Sequence, residues 1–317
     1  MNVEAPLDVE RIVEVVPTSP PDSPAPGEGE SGPGVSMFRR LLPPRRSQFL
    51  AVAFMWLLAA TVIGVLLFII VFVLARGLPH VTWGFLTQDV QDMGRKGGIF
   101  PIVVGTAVIT GLAVLIAAPI GLITAIYLAE YTREGKLTAV IRFGADCLAG
   151  IPSIIFGLFG FVFFVITLGM GLSILACALT LALMVLPTII RTSEEAIRAV
   201  PQSYRDVSFG LGSSRWQMVT RVVIRSALPG IGTGIVLSIG RAISETAAVM
   251  LTAGTSMRMP ASAFDSCRTL AVHFFILVRE GISEPNAYAT ATILILSILV
   301  INVLAYWLMQ RFVAKVR

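Results

Sequence analysis

The sequence predicts an all-α polytopic membrane protein with six transmembrane helices. Two observations carry that expectation. Of 317 residues, 56% are hydrophobic and only 14% charged, with a mean hydropathy of +0.84, whereas about a quarter of a soluble domain is charged. Apolar runs also recur at the ~20-residue length that crosses a hydrocarbon layer.

Residues 1–46 are rich in Pro, Gly, Ser and Glu, as in "PTSPPDSPAPGEGESGPG". Such a segment cannot bury enough apolar surface to offset its chain entropy, so a disordered cytoplasmic arm is expected. It ends in the basic flank "FRRLLPPRRS". A signal peptide is not expected, because the arm is long and the following apolar run exceeds a signal's apolar core.

Six apolar stretches follow, at 48–76, 99–130, 138–168, 173–191, 229–254 and 286–311. Residues 47–96 form the first transmembrane helix and an outer loop, and 97–317 the core. An even number of crossings puts both termini on one side. With the N-terminus inside, the inner segments hold Arg39, Arg40, Arg133, Lys136, Arg198, Arg205, Arg215, Arg221 and Arg225 among others. The outer segments hold only Arg76, Arg95, Lys96, Arg258, Arg268 and Arg279. That asymmetry predicts N-in, C-in, and a multi-pass protein of the cell (inner) membrane.

The same charge placement accounts for the net charge of +5 without any nucleic-acid partner. Cys147, Cys177 and Cys267 have no metal-ligand spacing, and no structural disulfide is expected. His80 and His273 are isolated and offer no metal site. No Gly-Lys-Ser or Gly-Lys-Thr phosphate loop occurs, and "GIGTGIVLSIG" lacks the lysine. No cofactor or metal, and no catalytic residue, is therefore expected, and the chain is not read as an enzyme.

Gly and Pro interrupt the spans. Most are explained by close helix packing. The cluster "AGIPS", with Gly150, Pro152 and Ser153, is denser than packing needs and predicts a break or hinge.

Residues 192–228 are too long for a connector and too polar for a span. They read as short helices. Thr192 with Glu195, and Ser214 with Gln217, fit capping boxes. Pro201 fits a helix start and Gly212 a helix end. After Ser214, Trp216, Val219, Val223 and Ala227 share one face, opposite Arg215, Arg221 and Arg225. A helix lying on the membrane and a docking element for a cytoplasmic partner both fit this pattern.

"IGRAISETAAV" puts Arg241 and Glu245 inside the fifth apolar stretch. Counted from Pro229, Arg241 lies roughly 18 Å deep, near the middle of a ~30 Å hydrocarbon layer. Glu245, four residues on, shares its face on a continuous helix. Charges at that depth cost ~3 kcal/mol or more each. They must face protein or water. Mutual neutralisation is one account. An anion path is the other, since a guanidinium fork suits oxyanions, with Ser238, Ser244 and Thr246 as nearby hydroxyls. Arg142 and Asp146 are likewise one turn apart and are expected to pair with each other near the inner interface, a place on the path being the alternative; Glu130 and Tyr131 are expected at that interface too.

"YRDVSFGLGSSRWQMVTRVVIRSALPG" resembles the permease signature of ABC importers, the loop that docks on the ATPase. Asp206, Val207 and Ser208 stand where that pattern has Glu-Ala-Ala, and Gly212 falls at the expected spacing. Val222–Arg225 stand where Ile-x-Leu-Pro is expected, with Pro229 four residues later. "GGIFPIVVGT", "LAGIPSIIFGLFG", "LALMVLPTIIRTSEEAIRAVPQSYRD" and "RAISETAAV" together resemble the phosphate importer permeases, the A-type subunit more than its C-type sister.

The resemblance implies the binding-protein-dependent ABC importer permease fold. It implies as partners a sister permease subunit, a dimer of ATPase subunits, an extracytoplasmic phosphate-binding protein, phosphate and membrane lipid. It implies Arg241, Glu245 and Arg191 along the substrate path, to which Ser244 is the nearby hydroxyl added by position. Coupling to the ATPase falls to Asp206, Gly212, Ser213, Trp216 and Arg215. Another oxyanion (sulfate, molybdate or phosphonate) and an ion-coupled secondary transporter are the alternatives. No internal repeat of the kind that marks many secondary transporters is visible.

Overall fold

The computed structural model describes residues 44–132 and 135–316, and the expected disordered arm lies almost wholly outside them. Two units are distinguished, one ending at Leu66 and one running from Leu67 to Arg317. The described part of the first is the N-terminal two-thirds of α1 (Pro44–Gly77), whose apolar side chains from Phe49 to Leu66 are exposed.

In the second unit, the end of α1 leads through α2 (Trp83–Thr87) into a two-residue hairpin, β1 (Val90–Gln91) and β2 (Lys96–Gly97). The strands pair antiparallel, Val90 opposite Gly97. Next come α3 (Phe100–Ile126), α4 (Lys136–Gly150) and α5 (Ser153–Gly160). They are followed by α6 (Ile174–Arg198), α7 (Gln202–Gly210), α8 (Arg215–Met218) and α9 (Ile224–Ser244). The last are α10 (Ala247–Thr252), α11 (Leu270–Arg279) and α12 (Glu284–Val316). Short π-helical turns extend α3 to Tyr131 and α5 to Thr167, and join α8 to α9. Among the described residues five helices are long and apolar enough to span a membrane, six when α4 and α5 count as one bent span.

α6 is the centre of the bundle. α3 packs along one side of it and α9 along another, both through small residues. A Cβ on Gly121 of α3 would sit 2.7 Å from Ile189 of α6. On α9, Cβ atoms at Gly230 and Gly234 would meet Ala196 and Thr192 of α6; that at Gly234 would overlap the threonine hydroxyl. With no hydrophobic force between helices in lipid, such close approach gives dispersion its grip. Pro119, Pro187 and Pro229 sit inside α3, α6 and α9 without breaking them.

Two breaks do occur. The third expected span is bent by 99° between α4 and α5. Pro152 forces the residue before it out of helical geometry, and Ile151 is extended at φ −72°, ψ 131°. The fifth expected span, 229–254, is not one helix. It begins earlier, at Arg215, and α9 stops at Ser244, where Glu245 is extended at φ −72°, ψ 131°. No proline acts here. The Ser244 hydroxyl donates to the carbonyls of Gly240 (3.0 Å) and Arg241 (3.2 Å), taking up acceptors of the last turn. The Glu245 carboxylate accepts from the Ala248 N–H at 3.2 Å and so caps α10. The half-helices after the two breaks pack on each other, with Gly157 of α5 against Ala248 of α10.

α6 continues to Arg198, so the polar segment outside the long helices is 199–214 rather than 192–228. Thr192 therefore caps nothing: it lies mid-helix, and its hydroxyl donates to the Thr188 carbonyl at 2.8 Å. The segment between the last spans folds over one end of α6, where Ser173, Ile174 and Leu175 donate N–H bonds to Thr252, Asp265 and Ala263. It then enters α11, at ten residues too short to cross a membrane.

Candidate functional site

Arg241 and Ser244 lie in the last turn of α9, on the helix side of the second break, and both are exposed. Thr233, Leu237, Gly240, Arg241 and Ser244 fall on one stripe of α9 by helical spacing. Thr233, Leu237, Arg241 and Ser244 are exposed along it, while Gly234 and Ser238 face inward. Among the described residues no carboxylate comes within ion-pairing distance of the Arg241 guanidinium. This overturns the expectation that Arg241 and Glu245 share a helical face, because the helix ends between them. Glu245 is half-buried and caps α10 instead.

Arg191 is about 10 Å from the level of Arg241, since its neighbour Thr192 faces Gly234 and α9 rises ~1.5 Å per residue over the seven positions between. Arg191 contacts Asp146 of α4 and lies 3.6 Å from Glu195. Arg142 does not pair with Asp146 as their spacing suggested. Its guanidinium lies 2.8 Å from Glu194 of α6. α4 packs on α6, so Arg142 and Asp146 find partners across the helix pair rather than along their own turn. Arg142, Asp146, Arg191, Glu194, Glu195 and Arg198 surround a cavity of about 240 Å³. The expected hinge residues bracket the other end of α4: Gly150 closes it, Pro152 caps α5 and Ser153 begins α5.

The second functional region is the segment 199–214 with α8. Pro201 precedes α7 as expected, and Asp206 in α7 accepts from Gln202 at 3.1 Å. α7 ends in a Schellman motif: the Gly212 N–H reaches the Phe209 carbonyl (2.9 Å) and the Ser213 N–H the Ser208 carbonyl (3.2 Å). Gly212 has φ +79°, which a side chain disfavours. Ser213 locks the turn further by donating its hydroxyl to the Ser208 carbonyl at 2.7 Å. Ser214 and Gln217 form the expected capping box.

This segment packs on the end of α3, and one expectation fails here, that Trp216 shares a face with Val219, Val223 and Ala227. Trp216 is not on the buried face; it is 65% exposed, and Met218 is buried with Val219, Val223 and Ala227. Glu130, expected at the interface, is buried and takes Arg205 Nη2 at 2.7 Å and Nε at 3.0 Å. Arg205 also donates to the carbonyls of Val200 and Ile197. Arg215 donates to the Glu130 carbonyl and stacks over Tyr131 at 5.2 Å. The signal for Glu130 was present in sequence, a lone acid at the end of an apolar run with an excess of inner arginines to meet it. The segment exposes apolar side chains among its polar ones: Val207, Phe209, Leu211 and Trp216 are exposed, Leu211 at 84%.

Away from both regions, His273 of α11 is buried and its Nδ1 lies 3.3 Å from Arg268, so it is not isolated. Burial and then the arginine's charge push the imidazole down to about 3. Burial also lowers Arg268 and pushes the Cys267 thiol up to about 12.

A family model described as "binding-protein-dependent transport system inner membrane component" matches residues 117–317. The chain is 37% identical over 252 residues to the phosphate transport system permease protein PstA 1 of Mycobacterium tuberculosis (strain ATCC 25618 / H37Rv), covering 77% of this chain and 81% of that protein. It is 34% identical over 275 residues to the probable ABC transporter permease protein YqgI of Bacillus subtilis (strain 168), covering 82% and 94%. In fold it is similar to a chain of the bacterial alginate ABC transporter in complex with an alginate pentasaccharide-bound periplasmic protein, at TM-score 0.60, 14% identity and coverage of 83% and 97%. It is also similar to a chain of the inward-facing MetNI methionine transporter, at TM-score 0.57, 19% identity and coverage of 68% and 95%.

Proposed function

The chain belongs to the family of binding-protein-dependent transport system inner membrane components, and on that premise we propose that it is the A-type permease subunit of an ATP-driven inorganic phosphate importer. It forms half of the translocation path and binds a sister permease at the exposed stripe of α9. Its partners also include an extracytoplasmic phosphate-binding protein and a pair of ATPases. The chain supplies no ATPase site of its own.

The observation that carries this reading is the exposed Arg241 beside a break in the helix that bears it. Discontinuous helices near the membrane midplane are where transporters place their substrate sites. A guanidinium without a carboxylate partner on its own chain is left free to take two oxygens of a tetrahedral oxyanion. Ser244 stands one turn from the guanidinium to add a hydroxyl, and Arg191 lies nearer the inside. Glu245 keeps a carboxylate oxygen available to accept a hydrogen bond from a protonated phosphate, which sulfate cannot donate.

ATP binding closes the ATPases against Asp206, Trp216 and their neighbours. Gly212 and Ser213 hold the turn that presents them, and Arg215 ties that turn to α3. The motion reaches the path through the helix that begins at Arg215, and the bend at Gly150–Ser153 lets α4 move against α5.

The test is phosphate uptake into vesicles bearing the reconstituted complex, with ATP on the cytoplasmic side. Arg241→Gln is expected to abolish uptake while the complex still assembles. ATP-independent uptake would overturn the importer reading, and ATP-driven uptake indifferent to the substitution would remove Arg241 from the path. Glu245→Gln is expected to keep uptake and narrow the preference for phosphate over sulfate; an unchanged preference would remove that role.

A further inference from the structure

The cavity between α4 and α6 has an internal charge pattern that a helix–helix pin does not need. Glu194 lies at its centre. One oxygen, Oε1, is 3.0 Å from Arg142 Nε, 2.8 Å from Arg142 Nη2 and 3.0 Å from Arg198 Nε. Two guanidiniums share one carboxylate, so this side of the cavity carries a surplus positive charge. On the other side Arg191 stands between Asp146 and Glu195. A pin from α4 to α6 requires Arg142 and Glu194 only. Arg198 belongs to the same helix as Glu194 and pins nothing.

Arg198 has a second exposure. It also lines a cavity of about 650 Å³ whose wall includes Glu130, Gln202, Arg205 and Arg215 of the coupling region. The same side chain therefore faces the charged cavity and the segment that the ATPase would move.

We propose that the α4–α6 cavity is a second oxyanion station on the path, in which Arg142 and Arg198 hold the anion's oxygens and Glu194 is the resident counter-ion that occupies their forks when the station is empty. This rests on the reading that phosphate passes Arg241, and deepens it. Two converging guanidinium forks around one anionic oxygen meet the geometry of a tetrahedral oxyanion. The cavity, at about 240 Å³, exceeds several times over the ~30 Å³ share of one water molecule. Glu194 competes with the arriving anion and repels it, which keeps the station weak and favours release. Movement of the coupling segment shifts Arg198 and opens one of the two forks.

Phosphate binding is read directly by equilibrium dialysis of radiolabelled inorganic phosphate against the complex of both permeases and both ATPases in nanodiscs, with the separate phosphate-binding protein left out. An Arg241→Gln background removes the first site from the signal. Glu194→Gln is expected to tighten binding about tenfold, roughly the worth of one charge-assisted hydrogen bond. Arg142→Gln is expected to weaken it by a similar factor. A pin between helices would be lost in both variants alike, so opposite signs are the signature of a station. Affinity unchanged in both, weakened in both, or no binding even in Glu194→Gln would overturn the proposal. Arg142→Lys keeps the charge and is the variant to use if the glutamine fails to assemble; it is expected to bind between Arg142 and Gln. ATP-driven uptake by the unmodified complex, run in parallel, reports on the importer reading alone.

Discussion

Arg205 is held by three acceptors at once, the Glu130 carboxylate and the carbonyls of Val200 and Ile197. The ion pair is enclosed, with side-chain exposures of 12% and 6%. Removing one member leaves a buried charge without its partner, a loss of about 3–5 kcal/mol. Arg205→Met is therefore expected to lower the melting temperature and open 199–214 to protease, and limited proteolysis reads this directly. His273 makes a prediction of a different kind. Its folded value of about 3 lies below the ~6.5 of an unfolded histidine. Between those values the unfolded chain binds a proton that the folded chain refuses, so stability is lost as pH falls. The loss at pH 5 is about 2 kcal/mol. His273→Gln should flatten the fall in melting temperature between pH 7 and pH 5; an unchanged slope would place the acid sensitivity elsewhere.

At the scale of elements, the α6–α9 contact depends on absent side chains. Gly234→Leu is expected to force α9 off Thr192 and reduce the yield of assembled complex. Gly240→Ala, where nothing lies within 4 Å of the added carbon in this chain, should leave folding of the chain intact, as size-exclusion chromatography would show. The elements also show what a sequence can disclose. The apolar runs, the break at Pro152, the left-handed Gly212 and the Ser214 cap were legible because each depends on a few adjacent residues. The break after Ser244 was hidden by a spacing that also suits an unbroken helix. Ser244, Glu245 and Thr246 are residues that end and start helices, yet with no Gly or Pro among them the apolar surroundings dominated. Arg142 and Asp146 misled for a related reason. Their local spacing offered one solution, and the approach of α6 offered a better one that only packing reveals. Trp216 falls off the face of Val219, Val223 and Ala227 because a regular 3.6-residue period does not foresee the π-helical turn at Val219–Val223.

At the scale of the whole molecule, small residues mark close helix contacts among the described residues, and many large apolar side chains face outward along the spans while others, such as Leu181, Met184 and Ile189 of α6, fill the core. Outside the long helices, the segment 199–214 with α8 also exposes Val207, Phe209, Leu211 and Trp216. Leu211→Asp is expected to abolish capture of the ATPase by the purified permease pair while leaving its melting temperature unchanged; retained capture would show that Leu211 is not in the contact.

The run from Arg215 to Ser244 is a continuous span of 30 residues with a π-helical turn at Val219–Val223, about 45 Å long at helical rise. Its first turn carries the capping box and Trp216, and its last carries Arg241. Mechanically it is a lever with the load at one tip and the handle at the other. A tilt of about 5° displaces one tip relative to the other by about 4 Å at that length, more than the length of a hydrogen bond. On the path proposed above, a small stroke at the inner end would therefore be enough to make or break the grip of Arg241 on an anion.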